Sequence, residues 1–262
     1  MCKIDELGEE LAMAAIQALT ASIIFGLGCG TFYPLFYGLA LGRFTLTQLW
    51  AAPKPSGFIA IALMGLVSLV WLVWHSRLVW RLHKEIRNWR FGMRGEQAVA
   101  EKLADPGLAA AGFVAFHDVP GNGKSKWNID HVVVGPGGIF VLETKARPRR
   151  KTTRPQEENE VRFDGRRLQF PWCHDDEAPK QVQNNVQSIR RVLSGYGPKD
   201  LEIQPVIVLP GWYVKAQGNY TVKAMNATYL IGYIKGAKQV FTPEQLAPIK
   251  RRLEEECRVL EF

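Results

Sequence analysis

An α/β core of mixed strand direction, preceded by a helical hairpin of two transmembrane spans, is the fold this sequence predicts. Three observations carry it. Helical patterns stand before and after a central run of strand-like segments, as when helices flank a sheet. Two long stretches hold no charged residue: Leu11–Gly42, 32 residues, and Pro55–Ser76. Between Asn128 and Lys145, two apolar runs joined by Gly135-Pro136-Gly137-Gly138 carry acids and a lysine at their ends.

The apolar stretches come first in the chain. A spanning helix needs ~20 apolar residues at 1.5 Å each, and both stretches meet that length. The first, residues 11–42, contains Gly26, Gly28, Gly30 and Pro34 and is expected to be kinked or tilted. The second covers residues 56–76, with a short external loop over 43–55. Residues 1–10 set Lys3 against Asp5, Glu6, Glu9 and Glu10, which does not suit the basic start of a cleavable signal. Arg77, Arg81, Lys84, Arg87, Arg90 and Arg94 follow the second stretch, a bias that belongs on the cytoplasmic side. The expected topology is therefore a multi-pass membrane protein with two spans, its N-terminus and C-terminal domain both cytoplasmic. Residues 77–94 read as a basic juxtamembrane helix facing the anionic headgroups of the lipid bilayer.

The 262 residues carry a formal charge of +8; residues 1–10 hold −3 and Arg43 with Lys54 hold +2, leaving +9 for residues 77–262. Such a surface attracts polyanions, nucleic acid or acidic lipid. Cys2, Cys29, Cys173 and Cys257 have no paired spacing, which excludes a disulfide framework. Cys173-His174 lacks the second pair that a structural zinc site requires.

Beyond the basic helix the pattern alternates. Glu96–Ala104 is helical, with Val99 and Leu103 four apart, and Asp105-Pro106-Gly107 stops it. Phe113–Val119, Ile129–Val134 and Gly138–Lys145 read as strands. Val161–Phe163 and Arg167–Phe170 form a hairpin about Asp164-Gly165. Pro179–Leu193 repeats Val182, Val186 and Ile189 at helical spacing. Ile203–Leu209 is a strand that Pro205 assigns to an edge or an irregular start. A short helix falls within Met225–Ile234, and Pro243–Cys257 is an amphipathic helix capped by Thr242. The principal domain spans 95–215, and 216–262 is a helical extension packed on it.

Chemistry concentrates at the ends of two strands. Alternation sends Glu143 and Lys145 to one face and Thr144 to the other. With Asp130 at the start of the preceding strand, two acids and an ammonium share a small space, an arrangement that a divalent cation relieves. Read alone, Glu143-x-Lys145 is a same-face ion pair and Asp130 a loop cap. His131 reads as a core or edge histidine. Gly121–Ser125 fails as a phosphate loop, because the required first glycine falls at Asp118. Lys124 and Lys126 are candidates for contact with a phosphate backbone, and Trp127 for base stacking or for packing.

Arg94-Gly95-Glu96, Asn128–Gly135 and Gly138–Lys145 together resemble the nuclease-related domain, NERD, of the restriction-endonuclease-like, PD-(D/E)XK group. The resemblance covers Arg94 to about Leu209. It implies a mixed β-sheet flanked by helices, with the active site at the strand ends. It further implies that Asp130, Glu143 and Glu96 bind Mg²⁺ or Mn²⁺, and that Lys145 positions water or stabilises developing charge. Gln181 matches the glutamine of the following helix, with Gln183 open to the same role. The expected function is a membrane-anchored, metal-dependent nuclease-like protein that hydrolyses phosphodiester bonds of DNA, or of RNA. The alternative is a noncatalytic, membrane-tethered module that binds nucleic acid or protein on the same fold.

Overall fold

A computed structural model describes residues 55–121, 127–150, 158–198, 200–216 and 218–258. The chain divides into two units, residues 1–89 and 90–262. The first helix, α1, runs without interruption over Pro55–Leu103. Its side chains are described at Leu66 and from Leu69 onward, and Leu69, Val70, Trp74 and Trp80 among them are exposed.

The expected membrane hairpin is overturned at this point. Among the described residues no helix is long and apolar enough to cross a membrane. Residues 56–76 are not a separate span but the opening of α1, which continues through the basic residues from Arg77 to Arg94. The other expected span, 11–42, lies outside the described residues, as do residues 1–10 and most of the loop 43–55. The two-span topology, the cytoplasmic placement of both ends and the bilayer contact with anionic headgroups all rested on that hairpin and fall with it.

The second unit is the mixed sheet flanked by helices. Its remaining elements are α2 (Pro106–Ala110), β1 (Val114–Pro120), β2 (Asn128–Gly135), β3 (Gly138–Thr144), β4 (Glu160–Phe163), β5 (Leu168–Phe170), β6 (Cys173–Asp175), α3 (Glu177–Val192), β7 (Ile203–Val208), β8 (Tyr213–Ala216), β9 (Lys223–Met225), α4 (Ala227–Lys235) and α5 (Pro243–Arg258). The main sheet has the order β1-β2-β3-β7-β9. Its first three strands are antiparallel, and β3, β7 and β9 run parallel. A second, four-stranded sheet has the order β6-β5-β4-β8.

β3 is the centre of this arrangement, and every one of its residues is buried. Ile139 and Val141 point into a core shared with Val182, Val186 and Ile189 of α3 and Ile249 and Leu253 of α5. Phe140 and Leu142 point the other way, toward Val99 and Leu103 of α1 and Leu230 and Ile234 of α4. Helices thus cover both faces, and period two decides which one each β3 side chain enters.

Local chemistry explains several boundaries. Asp105 does end α1, and it then caps α2, its Oδ1 accepting from Gly107 N and Leu108 N at 2.7 and 3.2 Å. Asp164 Oδ1 accepts from Arg166 N and Arg167 N, and Gly165 takes φ 88°, which closes the β4–β5 turn. Thr242 and Gln245 cap α5 reciprocally, each side chain accepting from the other's backbone N–H. Pro205 lies in the interior strand β7, opposite Val141. β9 pairs with β7 only from Val206 onward, so the missing N–H falls where that side of the ladder is still open.

Gly95 fixes how closely α1 approaches the exit of β3. A Cβ there would stand 2.3 Å from Ala146 Cβ and 3.7 Å from Thr144 Cγ2. Gly95→Ala is therefore expected to destabilise the fold by roughly 1–3 kcal/mol through overpacking, despite alanine's better helix propensity. Urea denaturation measures the loss, and Ala146→Gly in the same chain should recover part of it.

Candidate functional site

Glu143 closes the buried run of β3 and is 2 % exposed. Its Oε1 lies 2.8 Å from Lys145 Nζ, and its Oε2 accepts from Asn185 Nδ2 at 3.1 Å. Lys145 Nζ in turn donates to Gln181 Oε1 at 3.0 Å. Gln181 and Asn185 stand one turn apart on α3, so a single helix face holds both members of the pair. Lys145 stays on the sheet because its backbone N–H continues the parallel ladder, donating to Val208 O.

Asp130 enters from β2. Its Oδ2 accepts from the backbone N–H of Thr144 at 2.6 Å, which pins it to the segment between Glu143 and Lys145. Glu96 arrives from α1, one residue past the close approach at Gly95. The charges converge. Burial and then the Asp130 carboxylate push Glu143 up to about 7, with Lys145 opposing. Burial, Asp130 and Asp118 push Glu96 up to about 6, again against Lys145. Burial raises Asp130 as well, resisted by the Thr144 N–H and by Lys145.

Asp130, Glu143, Lys145 and Gln181 are joined by hydrogen bonds and one ion pair, directly or through Thr144, and Glu96 is tied to Asp130 electrostatically. Gln183 is exposed and makes none of these bonds, so of the two glutamines it is Gln181 that meets Lys145. Lys124 and Lys126 lie outside the described residues. Trp127 is 42 % exposed, with its ring against Gly121.

Two residues were missed by sequence reasoning. Asn185 is 1 % exposed, and its buried Oδ1 has no hydrogen-bond partner among the described residues. Its place four residues after Gln181 was the available signal. Asp118 is the one described non-glycine residue with positive φ, 52°. β1 and β2 pair at His117–His131 and at Val119–Ile129, with no pair between them, where Asp118 faces Asp130. No sequence signal marks that interruption.

The donor set consists of carboxylate oxygens, which suits a hard dication such as Mg²⁺. Each engaged oxygen keeps a second lone pair. Among the described residues no three His, Cys, Asp or Glu side chains stand together closely enough to hold a metal ion as they are. The Cys173-His174-Asp175 run does other work. Asp175 pairs with Arg147 at 2.5 Å and accepts from Glu177 N and Ala178 N at the start of α3.

A mixed sheet with acids and a lysine at the end of its central strand is the general class that fold and site define together. Residues 91–210 match the family described as NERD, the nuclease-related domain. The match supports a nuclease-like function for this segment and identifies no catalytic residue or metal. No curated protein and no solved structure matches the chain.

The raised acids make stability depend on pH. Glu143 binds its proton more tightly folded, near 7, than at its ordinary 4.5, so the native state holds more protons across that window. The stabilisation that Glu143 gives the metal-free protein is therefore full below about pH 4.5 and is lost as pH rises from there through 7. Urea midpoints measured from pH 5 to 8 should show the decline, and Glu143→Gln should flatten most of it.

Proposed function

We propose that residues 90–262 form a divalent-metal-dependent nuclease domain that hydrolyses phosphodiester bonds in DNA, or less readily in RNA. The observation that supports this most strongly is the joining of Asp130, Glu143, Lys145 and Gln181 at one end of β3, with Glu96 close enough to feel their charge. Burying several acids together is costly unless a cation offsets them. The family match over residues 91–210 supports a nucleic-acid substrate.

In this reading Asp130, Glu143 and Glu96 hold Mg²⁺ or Mn²⁺ through carboxylate oxygens. The ion supplies a lowered pKa for a coordinated water and offsets negative charge on the phosphate. Asp130, fixed by the Thr144 N–H, sets where the phosphate comes to rest. Lys145, one-quarter exposed, puts its ammonium at the open side of the pair, where phosphorane charge grows. Gln181 aims that ammonium and Asn185 aims the Glu143 carboxylate. The basic balance of residues 77–262 favours a polyanionic substrate.

The test is cleavage of supercoiled, linear and single-stranded DNA and of RNA by the purified chain with Mg²⁺ or Mn²⁺. Cleavage should vanish with EDTA and in Asp130→Asn and Glu143→Gln. Lys145→Met should lower turnover about 100-fold or more while metal binding persists. Asn185→Leu should lower it by a smaller factor, mostly in turnover rather than in substrate affinity. Cleavage unaffected in the Asp130 and Glu143 variants would refute the assignment. Metal-independent binding without scission would instead select a noncatalytic binding module, a reading favoured by the engagement of both Glu143 oxygens.

A further inference from the structure

Beside the carboxylates, but not joined to them, two imidazoles meet across β1 and β2. His117 and His131 are direct cross-strand partners. Their Nδ1 atoms stand 2.8 Å apart, with the ring planes at 83°. His131 is 3 % exposed, and the backbone of Glu96 lies close enough to its ring to favour the protonated form. His117 is exposed.

The geometry points to a second metal site, in which the Nδ1 atoms of His117 and His131 bind a borderline transition-metal dication such as Zn²⁺ or Cu²⁺. Two facing Nδ1 atoms of neutral imidazoles can share only one proton, one ring donating and the other accepting. A cation engages both lone pairs at once. Bonds of 2.0–2.1 Å at a tetrahedral angle separate two ligand nitrogens by roughly 3.3 Å. The rings must therefore part by about half an ångström. His117 supplies this by a small rotation at the surface, while packing holds His131 still. Coordination through Nδ1 fixes the His131 proton on Nε2, so the metal selects one tautomer of a buried ring.

Remaining positions open toward solvent on the His117 side, where water can enter. Nitrogen donors favour Zn²⁺, Ni²⁺ and Cu²⁺, whereas the neighbouring carboxylates favour Mg²⁺. The two sites thus differ in ligand chemistry, and the histidine site stands whether or not the chain is a nuclease. Its mechanical effect is to tie β1 to β2 beside the gap at Asp118 and Asp130, where the ladder lacks a pair.

The test uses the full chain with one equivalent of Cu²⁺ and paramagnetic resonance, which resolves coupling to imidazole nitrogen. The expected spectrum has two nitrogen ligands in the parent chain and in Asp130→Asn, and loses this signature in His117→Ala. Zn²⁺ added to the copper-free chain should raise the thermal midpoint of the parent but not of His117→Ala. Because His117→Ala also removes the hydrogen-bond partner of buried His131, each chain's shift is read against its own metal-free midpoint. A parent spectrum without two nitrogens, or one that survives His117→Ala, would show that the pair only shares a proton. Loss of the signal in Asp130→Asn would place the copper on the carboxylates and equally overturn the assignment.

Discussion

The burial of one carboxylate, Glu143, sets the terms for the rest of the second unit. A charge removed from water at the end of a fully buried strand must be met by partners that are themselves held in place. Lys145 meets one oxygen and Asn185 the other. Neither could do so unless α3 lay flat along β3 with its amide-bearing face inward. The apolar residues Val182, Val186 and Ile189 fix that orientation. Packing and electrostatics are therefore one problem here: the helix that fills the core also carries the groups that make the charge tolerable.

Compensation is incomplete, and this gives the site its character. Asp130 is close enough to raise Glu143, and Asp130 and Asp118 both raise Glu96, while a single ammonium opposes them. A fold selected for stability alone would replace some of these acids with apolar groups. Clusters of perturbed acids of this kind are enriched at functional sites, though structural ion-pair networks produce them too. The unpaired Oδ1 of Asn185 belongs to the same pattern, since an aliphatic side chain would fill that space without an orphaned oxygen.

Much of the second unit was legible in the sequence because its signals are short-range. The alternation of Gly138–Thr144, the Asp164-Gly165 turn and the Thr242 cap each depend on a few adjacent residues. The pairing of Glu143 with Lys145 followed from period two alone. What was not legible depends on distant partners. The strands β6, β8 and β9 have only three or four residues each and exist because neighbours supply their hydrogen bonds. Pro205 suggested an edge strand, but β9 begins one residue later and leaves the proline without a pairing duty. Asp118 looks like any acid within a strand until its positive φ and its position opposite Asp130 are known. Composition misled most for the N-terminal third. A charge-free run promises a span, yet the described helix continues from Pro55 into the basic segment and on to Leu103.

Asp175 has two attachments that belong to different parts of the chain. One oxygen receives the first amides of α3; the other grips Arg147, two residues beyond Lys145. The same guanidinium rests over the ring of Phe170. Strand exit and helix entry are thereby riveted together through one carboxylate. A load that displaces Arg147, such as a polymer drawn across the rim, would travel along the first turn of α3 to Gln181 and so to the ammonium it steers.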